Sequence, residues 1–429
     1  MRKILTLLFV ALTANAAQAA PAISILFVGN SYTFGRVDPV MSYNAANVAD
    51  LTRPNQTGRP SFNNATGSNP YEPHNWGGVP GIFKKMTDQA GLNYDVAISA
   101  RNAASLRGQF LNTSPSGWDL QSNLAYKKWD SVVLQDLSDE PLPLGKGGNA
   151  NQALFNFYAN KIEDYIHTGI KAGVELATDL ITTTEGIMLG GPSTGTAAAR
   201  AAACIAATGG VSNPNALSQT ACNTTRTIKG NPNESLATNV YLYQTWARPD
   251  MTYAHTNTIT NPTTGAIEPG VGVATTYYST LEGMTADLHS SYFGLAASNT
   301  DFKGVAPVGD AFMRAVQEGV ATRNPYASDA ATDGLIDLWW DDNLHASKYG
   351  SYLSALTMFG RITGLDPQSL GALEISASEL GISQRDAYVL QQVAAEELGF
   401  ARIPEPGTLL LAGLAMGLMG YMRRQRLIQ

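Results

Sequence analysis

The apolar run Ile23–Val28 (ISILFV) is followed directly by Gly29–Thr33 (GNSYT). A continuous apolar run that is partly β-branched predicts a strand buried on both faces of a parallel sheet. The Gly-Asn-Ser sequence favours a turn, and a serine there can also cap a helix. Because sites in open α/β sheets form outside the carboxyl ends of the strands, Ser31 is a candidate functional residue as well as a turn residue.

Four more apolar runs predict strands, at Tyr94–Ser99, Ser131–Gln135, Val240–Trp246 and Phe302–Pro307. Apolar residues at helical spacing predict helices between or after them, over Ile82–Ala90, Asn151–Thr183, Val308–Val320 and Ser347–Ile362. Strands that alternate with helices indicate an α/β fold, a three-layer α/β/α sandwich with a parallel five-stranded sheet. The Asn-, Pro- and Gly-rich stretch Ser42–Trp76 is expected to be an irregular surface loop.

The length of 429 residues allows two or three domains, but the pattern fits one elaborated domain over about residues 20–402. We expect an insertion at about residues 184–235 and a helical extension at about residues 368–402. The insertion contains the only cysteines, Cys204 and Cys222. In an oxidising compartment they are expected to form a disulfide, and two free buried thiols are the alternative.

The composition excludes several classes of protein. Hydrophobic residues make up 44% of the chain, which excludes a wholly disordered protein. The net charge is −7 and there is no long basic run, so we expect no nucleic-acid partner. Two cysteines are too few for a disulfide-dense scaffold or a Cys₄ zinc site.

Both ends of the chain have the pattern of targeting segments. Residues 1–19 combine Arg2 and Lys3, a short apolar run and the small-residue site Ala17–Ala19, as in a signal peptide; an N-terminal membrane anchor is the alternative. The C-terminal segment, residues 403–429, contains Pro404-Glu405-Pro406, an apolar stretch and three arginines. It resembles a PEP-CTERM sorting signal, and a plain C-terminal anchor is the alternative. The resemblance implies export in a Gram-negative bacterium, to the envelope or beyond, with signal peptidase and an exosortase as processing partners. It also implies transient anchoring in the inner membrane by the C-terminal helix, the chain's only expected membrane contact.

A second polar motif, Asp341–Ser347 (DDNLHAS), lies near the end of the predicted sheet domain. A nucleophilic serine needs a base, and the base needs an acceptor for its other ring N–H. Asp342 and His345 are three residues apart, close enough to form that pair on one loop, with Asp341 as a rival. The motif alone also fits a helix entry capped by Ser347.

Together, the Gly-Asn-Ser-x-Thr turn and the Asp-x-x-His motif resemble the SGNH (GDSL-type) hydrolase superfamily. Trp129–Asp136 resembles that fold's third block, and Val305–Phe312 resembles the step before its last block. The resemblance covers about residues 23–367. It implies a flavodoxin-like SGNH fold and a catalytic triad of Ser31, His345 and Asp342.

The oxyanion hole departs from the pattern of the family. Arg101–Leu106 carries alanine where a glycine is usual, and the usual Gly-x-Asn-Asp of the third block is absent. The resemblance therefore implies backbone donors from Ser31 and from Ala103 or Ala104. Gln135 is the expected side-chain donor, with Ser138 and Asn102 as competitors.

The resemblance implies an exported serine esterase without metal or organic cofactor. We expect it to hydrolyse short acyl esters, acetyl esters above all, on carbohydrate. A lipid esterase or thioesterase and a non-catalytic envelope binding module are the alternatives. The other four histidines have no ligand spacing and are expected to be ordinary surface or core residues: His74, His167, His255 and His289.

Overall fold

The computed structural model describes residues 21–36, 38–52, 75–111, 119–169, 202, 228, 230–261 and 263–401. Eight strands lie in these ranges: β1 (Ile23–Gly29), β2 (Ala49–Asp50), β3 (Tyr94–Ala100), β4 (Ser131–Leu134), β5 (Asn239–Tyr243), β6 (Thr256–Thr260), β7 (Ile267–Val273) and β8 (Phe302–Ala306). The α-helices in the same ranges are α1 (Ser31–Phe34), α2 (Gly78–Gln89), α3 (Leu106–Leu111), α4 (Leu120–Leu124), α5 (Gln152–His167), α6 (Leu281–Ser298), α7 (Val308–Gln317), α8 (Lys348–Thr363), α9 (Ile375–Glu379) and α10 (Gln384–Glu397).

The central sheet is parallel, in the order β2-β3-β1-β4-β5-β8. The α/β class and the parallel sheet predicted from the sequence are confirmed. Helices α2, α8 and α10 pack together, and α3 packs on α5, so that helices flank the sheet. From β1 the chain runs to the edge strand β2, then to β3 beside β1, and then crosses to β4 on the other side of β1. Beyond the carboxyl ends of β1, β3 and β4 this reversal opens a crevice.

The prediction of five strands was wrong by one, because the sheet has six. Strand β2, only two residues long, lies within the stretch predicted to be an irregular loop, and it pairs with β3 at the edge. Its Asp50 carboxylate accepts hydrogen bonds from the N–H groups of Thr52 (3.0 Å) and Trp76 (3.1 Å). A strand this short has no periodicity that a sequence pattern could reveal.

Strand β1 is at the centre of the sheet and of the core. Ile25, Leu26, Phe27 and Val28 are fully buried, as the continuous apolar run predicts. Outside the main sheet, β6 and β7 form a separate antiparallel hairpin that the sequence reading did not predict.

Helix α5 begins where predicted, capped by the Asn151 side chain, which accepts a hydrogen bond from Leu154 N. It ends at His167, well before the predicted end. Thr168 and Gly169 follow, and Gly169 has φ +65°, a conformation typical of the residue just after a helix. Cys204, Cys222, most of the predicted insertion and both targeting segments lie outside the described residues. Within the described ranges no helix is both long enough and apolar enough to cross a bilayer.

Candidate active site

Ser31 opens the short helix α1 directly beyond the carboxyl end of β1. The turn is fixed by Asn30, whose side-chain oxygen accepts a hydrogen bond from Tyr32 N (3.1 Å). Gly29 is required before it, because a Cβ there would lie 2.1 Å from Thr33 Oγ1 and 2.5 Å from Gln135 Oε1. Glycine, asparagine and serine therefore each have a structural role in this turn, and Ser31 remains at the crevice with 5% exposure.

The Asp-x-x-His motif lies on a tight loop between Leu338 and Ser347. Trp340 N donates to His345 O (2.8 Å), and Asn343 N donates to Trp340 O (2.7 Å). Asn343 adopts φ +55°, a left-handed conformation that asparagine tolerates better than most residues. The loop is closed on itself, so Asp342 and His345 approach each other on the same side.

The structure brings Ser31, His345 and Asp342 into one hydrogen-bonded row. His345 Nε2 lies 2.8 Å from Ser31 Oγ, and His345 Nδ1 lies 2.5 Å from Asp342 Oδ2. All three residues are buried. Asp341, the rival for the orienting position, is exposed. This row has the order of a nucleophile, a base and an orienting carboxylate.

Asp342 is held as a carboxylate by its surroundings. Burial alone would raise its pKa, but the adjacent His345 ring and its hydrogen bond outweigh that effect. The other oxygen, Oδ1, accepts backbone N–H bonds from Leu344 (3.0 Å) and His345 (2.8 Å). Together these contacts lower the pKa of Asp342 below its ordinary value, and they fix which oxygen faces the imidazole.

An aromatic stack supports the histidine loop from behind. The rings of Tyr32 and Trp246 stack at 3.8 Å between centroids, 7° from parallel. Tyr32 OH (2.9 Å) and Trp246 Nε1 (3.1 Å) both donate to the carbonyl of Leu344, the residue before His345. The stack thus ties the nucleophile turn to the histidine loop. No motif spacing reveals this contact, because its members come from three distant parts of the chain.

The predicted oxyanion donors divide into two groups. The N–H groups of Ser31 and Ala103 donate to no acceptor among the described residues, and both residues line the crevice. Ala103 has φ +51°, a left-handed conformation that suits the glycine usual at this position. Ala104 N instead donates to Arg101 O (3.3 Å).

Gln135 does not reach the crevice. Its Oε1 accepts from Asn30 N (2.9 Å) and Thr33 Oγ1 (2.9 Å), and its Nε2 donates to the carbonyl of Asp136. The residue is fully buried beneath the turn, which it braces. Ser138 and Asn102, its competitors in the sequence analysis, do line the crevice.

Asn30 and Asp136 link the loops that follow β1, β3 and β4. Asn30 Nδ2 donates to the carbonyls of Ala104 (3.2 Å) and Asp136 (3.1 Å). Asp136 Oδ1 accepts from the N–H groups of Leu106 (2.7 Å) and Leu137 (2.8 Å). Burial raises the pKa of Asp136 to about 7 and that of neighbouring Glu140 well above its ordinary value. The sequence reading missed this network, since buried asparagine and aspartate carry no spacing signal.

The crevice has a volume of about 570 Å³. Arg248 lies in its wall, where it donates from Nε to Asp250 Oδ1 (3.0 Å) and from Nη1 to Ser138 Oγ (2.9 Å). Asp250 thus balances its charge. The β6–β7 hairpin contributes Asn257, Thr258 and Thr260 to the lining.

Trp339, which precedes the Asp-x-x-His motif, and three of the other histidines are placed as follows. Trp339 is buried and donates from Nε1 to Ala247 O (3.2 Å) rather than lining the crevice. His255 lines the crevice and stacks on Tyr326 at 4.3 Å between ring centroids. His289 is half-exposed and pairs with Asp310 (2.7 Å), while His74 lies outside the described residues.

Comparison with known proteins gives one specific match. Residues 402–426 match the PEP-CTERM protein-sorting motif. The motif indicates export and sorting at the membrane of a Gram-negative bacterium, and it implies processing by an exosortase. No curated protein matches the chain.

Two solved structures show a distant similarity to most of the chain. One, from Slackia heliotrinireducens, is provisionally assigned as an SGNH hydrolase; the identity is 14%, the TM-score is 0.34, and 80% of this chain and 100% of that one are covered. The other is a DUF4886 family protein from Bacteroides uniformis, with 11% identity, a TM-score of 0.37, and 90% and 99% of the two chains covered.

Proposed function

We propose that the protein is an exported serine esterase that uses Ser31, His345 and Asp342 as its catalytic triad. The observation that carries the proposal is the row of hydrogen bonds from Asp342 through His345 to Ser31 Oγ. A serine, an imidazole and a carboxylate joined in this order at the mouth of a crevice suit acyl transfer.

In the proposed mechanism, Ser31 Oγ attacks the ester carbonyl while His345 Nε2 accepts the hydroxyl proton. Asp342 holds the Nδ1–H and stabilises the imidazolium that forms. The tetrahedral oxyanion is bound by the N–H groups of Ser31 and Ala103. His345 then returns the proton to the leaving alcohol, and water, activated by the same imidazole, releases the acid from the acyl-serine.

The hydrogen bonds of the candidate oxyanion donors support a smaller set of donors than the sequence predicts. Ala104 and Gln135 have their donor groups engaged elsewhere, so we assign them to supporting the loop and the turn. Asn102 takes the place of Gln135 as the side-chain donor, because it lines the crevice. Ser138 lines the crevice as well, but its hydroxyl donates to Asp139 Oδ1 (3.4 Å) and accepts from Arg248 Nη1 (2.9 Å). Each donor that meets the developing charge contributes about 10²- to 10³-fold to the rate.

The lining of the crevice supports a short acyl ester on carbohydrate as the substrate. Amide and hydroxyl side chains line the same crevice as the serine: Asn102, Asn149, Asn257, Thr258, Thr260 and Tyr277. Such groups both donate and accept hydrogen bonds, as sugar hydroxyls require. A long acyl chain would need a mainly apolar channel, so a lipid esterase is the weaker candidate.

The proposal is tested with purified protein and p-nitrophenyl acetate. Ser31→Ala should abolish hydrolysis with unchanged circular dichroism, whereas Ser42→Ala, which removes an exposed serine that does not line the crevice, should retain it. Acetate release from an O-acetylated polysaccharide, without hydrolysis of long-chain esters, is expected for the carbohydrate substrate. The reverse preference would refute that substrate class, and inactivity on all esters would favour the non-catalytic binding module.

A further inference from the structure

Glu163, His167 and Asp301 form a cluster of ligand-type side chains at the end of the sheet opposite to Ser31. Glu163 and His167 are four residues apart on α5, and Asp301 immediately precedes β8. One oxygen or nitrogen atom from each of the three side chains lies within 4.8 Å of the others. Because Asp301 is at the amino end of its strand while Ser31 lies beyond a carboxyl end, the cluster is separate from the proposed catalytic site.

The two ring nitrogens of His167 have different surroundings. Nε2 lies 2.8 Å from the backbone carbonyl of Thr238, which can only accept a hydrogen bond, so Nε2 carries the hydrogen. Nδ1 therefore presents a lone pair in the neutral ring. It is buried within ion-pairing distance of Glu163 Oε1, but this contact lacks the geometry of a hydrogen bond. A carboxylate oxygen facing a nitrogen lone pair is unfavourable unless a cation or a proton lies between them.

The groups around the cluster have the arrangement expected around metal ligands. The carbonyl of Thr238 fixes the tautomer of His167, as second partners of metal-bound histidines do. Glu163 Oε2 accepts from Asn299 Nδ2 (2.9 Å), which leaves Oε1 directed at the cluster. Asn299 Oδ1 in turn accepts from the N–H of Asp301 (3.0 Å). One asparagine therefore bonds the Glu163 carboxylate and the backbone of Asp301.

We propose that Glu163, His167 and Asp301 bind one divalent transition-metal ion, with Zn²⁺ as the favoured ion. One imidazole nitrogen and two carboxylate oxygens form a donor set that suits zinc, with a further position left for water. Binding moves Glu163 Oε1 and His167 Nδ1 apart to the spacing of two ligands on one ion. The ion joins α5 to the turn before β8, so its role is structural.

This site departs from the sequence expectation of no metal. The signal was present as a glutamate and a histidine four residues apart on one helical face. The third ligand comes from a turn more than a hundred residues away, which is why the spacing of His167 alone indicated nothing.

The test is calorimetric titration of chelator-treated full-length protein with Zn²⁺. Wild type should bind one more ion per chain than His167→Gln, and Asp301→Asn should weaken this binding by about 10-fold or more. His289→Gln, which removes a histidine remote from the cluster, should bind as wild type does. Saturating Zn²⁺ should also raise the midpoint of thermal unfolding of wild type but not of His167→Gln.

Two results would overturn the proposal. The first is equal zinc binding by wild type and His167→Gln, which would leave His167 as an imidazolium paired with Glu163. The second is unchanged zinc affinity in Asp301→Asn. This variant decides the question if His167→Gln does not fold, because the Asp301 side chain is exposed and its replacement should not disturb folding.

Discussion

The substitution Asp342→Asn tests how the imidazole is oriented. Asp342 Oδ1 accepts two backbone N–H bonds, from Leu344 and His345, so only an oxygen fits that position. The amide nitrogen of the asparagine must then face His345 Nδ1. Because that nitrogen donates, Nδ1 has to accept, and the ring hydrogen moves to Nε2. Nε2–H would then point at Ser31 Oγ and could no longer take its proton.

The expected loss follows from this change of tautomer. The equivalent change in a Ser-His-Asp triad lowers kcat by about 10⁴-fold. In free-energy terms that is about 5 kcal/mol of transition-state stabilisation. The assay is the kcat/KM for p-nitrophenyl acetate at neutral pH, with circular dichroism to show that the fold is kept.

Asp341→Asn is the matched control, because it makes the same chemical change one residue earlier on an exposed side chain. It should leave kcat/KM close to the wild-type value. If Asp342→Asn kept about a tenth of the activity or more, the orientation argument would be wrong. If instead Asp341→Asn suffered the large loss, the orienting carboxylate would be Asp341.

Three further substitutions address the supporting residues. Ala103→Gly should raise the free energy of unfolding by about 0.5–1 kcal/mol and keep activity, because φ +51° strains alanine. Urea denaturation measures the change in stability, and a less stable variant would contradict the prediction. Asp136→Asn should gain stability relative to wild type as the pH rises. The folded-state pKa of Asp136, about 7, lies above its unfolded value of about 3.9, so the wild-type carboxyl costs stability progressively between those pH values. Unfolding titrations at both ends of this window test it, and a pH-independent difference would contradict it. Tyr32→Phe should lower the free energy of unfolding by only about 0.5–1.5 kcal/mol, because the Leu344 carbonyl keeps its hydrogen bond from Trp246. A much larger loss in urea denaturation would show that the bond from Trp246 is not enough to hold the loop.

The features that could be predicted from the sequence are those with local periodicity or a short motif. Strand β1 could be predicted because a strand at the centre of the sheet is buried on both faces, so its sequence is a continuous apolar run. The Asp-x-x-His pair is local as well, because both residues lie on one loop. In each case the physical cause acts over a few neighbouring residues.

The features that were missed depend on contacts between distant segments. Strand β2 exists because β3 offers an edge, and two residues carry no pattern of their own. Gln135 was expected in the crevice because it ends the predicted strand in the block that resembles the family's oxyanion-hole block. Its side chain instead lies beneath the β1 turn and bonds Asn30 and Thr33. The sequence predicts a polar side chain at the end of a strand, but it does not indicate with which nearby groups that side chain forms hydrogen bonds.

The central claim is that Ser31 is a nucleophile activated by His345. Its most direct test is covalent labelling with a fluorophosphonate probe, followed by mass spectrometry of the peptide that contains Ser31. The account predicts one label per chain on Ser31, absent in Ser31→Ala and strongly slowed in His345→Ala. Absence of labelling in folded wild-type protein, or a label on another serine such as Ser138, would contradict it.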